Sequence, residues 1–137
     1  MNRWAQSLIK LSNYEVETLQ KRLAEIADQR ARVEMRLTML RAEGEAERAA
    51  AAEEPSLAWR IVGYMDALKA RMDAVRQELR LIEAEEQGAR DALAQAFETQ
   101  KKYEQVAEQA RMLAARQAGR REAAQMDELG LRKAAAR

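Results

Sequence analysis

The chain has no cysteine and no histidine. Its 137 residues include one proline, five glycines, two tryptophans, three tyrosines and one phenylalanine. Without cysteine there is no disulfide framework, thiolate metal site or cysteine nucleophile. Without histidine the commonest general base and metal ligand is missing, and with it every Ser-His-Asp arrangement. The five glycines are isolated and none sits in a phosphate-binding loop pattern. No run approaches the ~18 consecutive apolar residues of a membrane span. The N-terminus breaks its apolar run with Arg3, Gln6, Ser7 and Lys10, so it has no secretory pattern. These absences predict a cytoplasmic chain with no cofactor and no enzymatic activity. The few large rings also leave little with which to fill a compact core.

What remains is 47% apolar residues, much of that alanine, with 34% charged residues. A mixture rich in Ala, Glu, Arg, Leu and Gln is the composition of long helices and coiled coils. The formal charge of +1 conceals an asymmetry. Residues 1–110 carry a net −3. In 111–137, Arg111, Arg116, Arg120, Arg121, Arg132, Lys133 and Arg137 outweigh Glu122, Asp127 and Glu128, for a net +4. A basic end of this kind suits an acidic protein surface, or serves as a solvated terminal helix. Nucleic-acid recognition asks for a denser basic face.

Two periodic segments flank one break. Val16, Leu19, Leu23, Ile26, Arg30, Val33, Leu37 and Leu40 alternate in steps of three and four, the spacing of heptad a and d positions. Ile9 and Ala5 keep this frame, while Trp4, Leu8 and Leu11 offer a neighbouring one. After the break the rule resumes at Ile61, Met65, Leu68, Met72, Val75, Leu79, Ile82, Glu86, Ala89, Leu93 and Ala96. Beyond Phe97 the large apolar residues Tyr103, Val106 and Leu113, with Ala110, suggest a shifted stripe, as a stutter would produce. The break is Ala52-Glu53-Glu54-Pro55-Ser56, where proline stops a helix and Ser56 is placed to cap the next one. Gly88 lies within an unbroken heptad and costs about 1 kcal/mol against alanine without ending the helix.

The predicted fold is therefore all-α: a long antiparallel two-helix coiled-coil hairpin with a C-terminal helical overhang. It forms one domain, with helix 1 over about 3–51, a turn over about 52–56, helix 2 over about 57–113 and a tail over 114–137 prone to fraying. At 1.5 Å per residue the arms reach roughly 70 and 110 Å. Two registers fit. One sets Leu40 beside Met65 and Ile26 beside Leu79, bringing Arg22 to Glu85 but Arg36 to Arg71. The other, a heptad away, sets Leu40 beside Met72 and Ile26 beside Glu86. Exposed ion pairs contribute about 0–1 kcal/mol each, too little to choose between them.

Arg30 and Glu86 fall on core-type a positions. They lock the register if buried, or reach out past the edge of a thin seam if not. The clusters Glu43-Glu45-Glu47 and Glu83-Glu85-Glu86 hold carboxylates enough for an acid/base pair, but a two-helix seam offers no water-excluding cleft to separate their pKa values. Met65 and Met72 belong to the stripe. Met35 and Met39, off the a/d positions, form with Trp59, Val62 and Tyr64 an adaptable apolar surface near the turn, or simply pack the turn itself. Trp4, Leu8, Leu11 and Tyr14 make a similar group at the other end, with at most a peripheral membrane contact.

The opening stretch from Trp4-Ala5-Gln6-Ser7-Leu8-Ile9-Lys10-Leu11 to Leu23-Ala24-Glu25-Ile26 resembles the N-terminus of FliJ-type flagellar export proteins. The segment Gly88-Ala89-Arg90-Asp91-Ala92-Leu93-Ala94-Gln95-Ala96-Phe97, followed by Lys101-Lys102-Tyr103-Glu104, is similar too. The resemblance covers roughly residues 3–110, and nothing beyond 113 matches it. It implies a stalk-like antiparallel coiled coil of the flagellar type III export machine, lying at the inner side of the membrane at the flagellar base. Its implied partners are the hexameric export ATPase, the membrane export gate and export chaperones. It further implies that Trp4, Leu8, Leu11, Arg116, Arg120 and Arg121 face the ATPase, and that Ile61, Tyr64, Met65 and Leu68 face the gate. Two other functions compete with it: a dimeric scaffold or spacer whose stripes close between two chains, and a basic-tailed nucleic-acid binder.

Overall fold

A computed structural model describes residues 3–136. Helix α1 spans Arg3–Glu53, a 3-10 turn spans Pro55–Leu57, and helix α2 spans Ala58–Ala136. There is no strand among the described residues. Helix formers dominate both long elements, and the only proline falls between them, so nothing in either sequence interrupts the backbone ladder. The fold is an all-α antiparallel helical hairpin, and its contacts group into two units. One comprises Thr18–Leu93. The other comprises Met1–Glu17 with Ala94–Arg137.

The reversal lies in the first of these units. Glu54, held extended by the proline after it, has φ −121° and ψ 98°. Its N–H still bonds to the Ala50 carbonyl at 3.2 Å, and its own carbonyl accepts from Leu57 N–H at 3.0 Å. Ser56 lies inside the 3-10 turn and α2 follows directly at Ala58, so Ser56 does not cap α2 as its residue type suggested. No side chain caps the turn. A single extended residue is enough to reverse the chain because Pro55 needs no amide partner and starts the next helical turn itself.

So short a connection makes residues equally distant from it face one another. Arg36 meets Glu78 at 2.6 Å, Glu43 lies 3.8 Å from Arg71, and Gly44 sits against Leu68. This is the register with Leu40 beside Met72 and Ile26 beside Glu86. Arg36 escapes Arg71, while Arg22 still reaches Glu85 through its long side chain. Ile26, Val33, Leu37 and Leu40 of α1 pack with Leu68, Val75 and Ile82 of α2, and Met65, Met72, Leu79 and Ala89 close the edges. Ile26 is fully buried, worth about 2 kcal/mol relative to exposure. The stripes therefore close within one chain. Gly44 is a seam residue that the apolar pattern passed over. A Cβ there would stand 2.6 Å from a Leu68 methyl, so its absence lets α1 and α2 approach closely.

In the other unit the seam runs through Ala5, Ile9, Ser12 and Val16 of α1 and through Ala96, Gln100, Tyr103, Ala107 and Ala110 of α2. The heptad of α2 thus continues past Phe97 without the shift suggested by its large apolar residues. Val106 and Leu113 are exposed, at 39% and 58%, because smaller Ala107 and polar Gln100 occupy the contact positions. Gln100 donates to the Asn13 side-chain carbonyl at 2.6 Å. Ser12 is buried with its hydroxyl unpartnered. From Arg111 to Ala136 every residue of α2 is exposed, so the helix continues as an overhang that no described segment covers.

Candidate functional site

In the acidic clusters Glu83, Glu85 and Glu86 pair with arginines, and Glu43 with the Tyr64 hydroxyl. Glu86, 5% exposed, is the one buried carboxylate among the described residues, and its charge is answered twice: by Arg30 at 3.1 Å across the seam and by Arg90 at 2.9 Å on its own helix. Arg30 also meets Glu83 at 3.2 Å and Glu34 at 3.0 Å. Its hydrogen bond to Glu34, with the charges of Glu86 and Glu83, raises its pKa further and keeps the guanidinium charged. The pair spans the seam, so Glu86 is buried and neutralised rather than reaching past the edge into water. Glu43 accepts the Tyr64 hydroxyl at 2.7 Å and pushes that phenol up to about 12, through the hydrogen bond first and burial second. Both arrangements fix side chains that link the two helices. Among the described residues no set of three or more acidic, histidine or cysteine side chains is placed to hold a metal.

The residues singled out for partners lie in two places. Trp4 (53% exposed) and Leu11 (61% exposed) stand open on α1 with Leu8 half-buried beside the seam. Arg116, Arg120 and Arg121 are exposed on the overhang of the same unit. Near the turn, Ile61, Tyr64 and Met65 are half-buried, whereas Leu68 is a core residue packed against Gly44 and presents nothing to a partner. Tyr64 and Ile61 border a groove of about 230 Å³ with Glu47, Ala51, Leu57 and Arg60. Met35, Met39, Trp59 and Val62 are all exposed, and the Arg60 guanidinium lies over the Trp59 ring at 5.5 Å. A second groove, of about 440 Å³, opens between Ala5, Gln6 and Ile9 of α1 and Glu104, Glu108 and Arg111 of α2, over a floor of Ala107, Ala110 and Ala114. The sequence signal that would have found this floor is the strict heptad count through residues 100 and 107, taken regardless of side-chain size.

Two helices zipped by a heptad seam, with charge-compensated carboxylates and exposed apolar groups in each unit, define an antiparallel coiled-coil protein. No described helix is long and apolar enough to cross a membrane. A family model described as "Flagellar FliJ protein" matches residues 5–137. Flagellar FliJ proteins of two Caulobacter vibrioides strains, NA1000 / CB15N and ATCC 19089 / CIP 103742 / CB 15, are each 54% identical over 135 residues, which is 98% of this chain and 97% of theirs. The chain belongs to the flagellar FliJ family, whose setting is flagellum biogenesis and protein export. The match runs through the tail, including the residues beyond 113 that the sequence resemblance left out. No solved structure matches the chain.

Proposed function

We propose that this chain is a non-enzymatic, stalk-like component of the flagellar type III export apparatus. It acts on the cytoplasmic side of the flagellar base, binds the hexameric export ATPase and the export gate, and assists recycling of export chaperones. Trp4, Leu8 and Leu11, with Arg116, Arg120 and Arg121, form the ATPase surface. Ile61, Tyr64 and Met65 form the gate surface, supported from beneath by Leu68. The observation that carries the reading is the overhang. A helix exposed on every side over 111–136, rich in arginine and adjoining open Trp4 and Leu11, has no seam to fill among the described residues. A stalk needs length, stiffness and a patterned charged surface, and no reaction cavity.

The test is to add the purified chain to its cognate export ATPase. The unsubstituted chain should stimulate hydrolysis and co-purify with the ATPase. The Arg116→Glu/Arg120→Glu/Arg121→Glu variant should do neither. Ile61→Ser/Met65→Ser should keep the stimulation and lose capture by the gate's cytoplasmic part. A native chain that neither stimulates nor co-purifies refutes the reading.

A further inference from the structure

Val106 and Leu113 depart from the seam of α2, and Trp4, Leu8 and Leu11 depart from that of α1. Helix geometry gathers all five on one side. Gln6 and Ile9 open together with Glu104, Glu108 and Arg111 onto the groove of about 440 Å³, which marks one flank of this helix pair. At 3.6 residues per turn, Trp4, Leu8 and Leu11 lie across the Ala5–Ser12 line from Gln6 and Ile9. By the same spacing, Val106 and Leu113 lie across the Ala107–Ala110 line from Glu104 and Glu108. Scattered exposed apolar residues need no explanation, but five gathered along the furrow between two helices form a patch of the kind that marks an interaction site.

The charge beside this furrow is of one sign on α2. Lys102, Arg116 and Arg120 stand on the same flank as Val106 and Leu113, and no ion pair engages any of them among the described residues. On this stretch Arg111 pairs with Glu108 at 2.6 Å and Arg132 with Glu128 at 3.0 Å, while Arg121, off this flank, has no ion pair among the described residues. Arg116 and Arg120, four residues apart, instead repel one another on an isolated helix. An acidic group from outside would relieve them.

We infer that this furrow is a docking groove for one amphipathic helix of a partner, its aliphatic side chains against Trp4, Leu8, Leu11, Val106 and Leu113 and its Asp/Glu side chains against Lys102, Arg116 and Arg120. The inference rests on the reading that this end of the chain meets a partner, and it adds the chemistry of what is taken. A third helix fits the furrow between two packed helices by the same ridge-into-groove geometry that packs the pair. A second copy of this chain is the poorer occupant, since its own exposed helix would bring arginines to arginines.

The test uses the full chain with Trp59→Phe, which leaves Trp4 as its only tryptophan. The probe is a labelled synthetic helix of roughly five turns with leucines on one face and glutamates on its flanks, and the control carries lysines in their place. The glutamate peptide should raise anisotropy, shift Trp4 emission to the blue and bind more weakly as salt rises. The lysine peptide should bind at least about tenfold more weakly. Val106→Ser/Leu113→Ser, at exposed positions, should keep the helical melting curve and lose about tenfold in affinity, roughly 1.4 kcal/mol. Equal binding of the two peptides, no binding of either, unchanged binding by the serine variant, or self-association that the serine variant abolishes each overturns the inference. The ATPase assay on the same preparations separates the two claims. Stimulation without glutamate-peptide binding removes only the docking groove, while peptide binding without stimulation removes only the proposed function.

Discussion

The two units of this chain use one heptad geometry and fill it differently. Between Thr18 and Leu93 the seam is Ile, Val, Leu and Met, and five ion pairs cross it: Arg22–Glu85, Arg30–Glu83, Arg30–Glu86, Arg36–Glu78 and Glu43–Arg71. In the unit formed by the chain ends the seam is Ala, Ser, Gln and Tyr with Ile9 and Val16, and among the described residues no ion pair crosses it. A Gln100–Asn13 hydrogen bond and an unpartnered Ser12 hydroxyl stand where the other unit has aliphatic layers and salt bridges. The difference shows that periodicity fixes which residues meet, while side-chain volume fixes how strongly they hold. One unit is built to stay shut. The other leaves its larger apolar groups facing outward.

The contrast can be broken at its strongest point. Replacing Ile26, fully buried, by alanine should cost about 3 kcal/mol in urea denaturation followed by helical circular dichroism. Replacing half-buried Ile9, beside an open groove, should cost about 1 kcal/mol. Equal losses would erase the distinction. The next effect concerns Glu86. Arg30→Met leaves that buried carboxylate with Arg90 alone, and should lower the melting temperature more than Arg36→Met, whose partner Glu78 is 45% exposed. The double change Arg30→Met/Glu86→Leu should recover most of the loss, because no buried charge then remains. Failure to recover would show that the pair does more than cancel its own burial.

At Ser12 the expected sign is opposite. Ser12→Ala removes a buried hydroxyl without a partner and should stabilise the protein by about 1 kcal/mol, read as a higher urea midpoint. The smallest effect is a pH dependence at Tyr64. Its folded pKa, pushed up to about 12 by Glu43, exceeds its ordinary value of 10.0. The folded state therefore holds the phenol proton where the unfolded chain releases it. The resulting stability is complete below about pH 10 and is lost as pH rises from 10 toward 12. An ultraviolet titration should show one tyrosine ionising late, and Tyr64→Phe should remove that late step along with the loss of stability between pH 10 and 12.

Most of the fold was legible in the sequence because heptad spacing and a lone proline are local signals. Every stripe position assigned to Thr18–Leu93 is buried or half-buried, from Leu19 to Leu40 and from Ile61 to Leu93. Register was not legible from charge, since Arg22 reaches Glu85 in an alignment that charge counting gave to the other solution. Turn geometry decides it, through a helix that persists to Glu53 and a proline that opens the next helical turn. The slip expected at Phe97 arose from ranking residues by hydrophobicity. Val106 is larger than Ala107, yet Ala107 is the one that faces α1. Gly44 and Ser12 were missed for the same reason, because small or polar side chains carry no apolar signal even where they are the contact. Leu68, which the resemblance assigned to the gate, is buried, as its stripe position already indicated.

The one-residue reversal before Pro55 has a consequence for how chains of this kind can change length. Each layer is matched by its distance from that bend, so an insertion in one arm alone displaces every layer farther out against its mate. Seven residues added to α1 and seven to α2 at matching depth keep all pairings. A long-lived lineage of such hairpins should accordingly grow and shrink in coupled steps of two heptads, while the unpaired stretch beyond the start of α1 is free to vary one residue at a time.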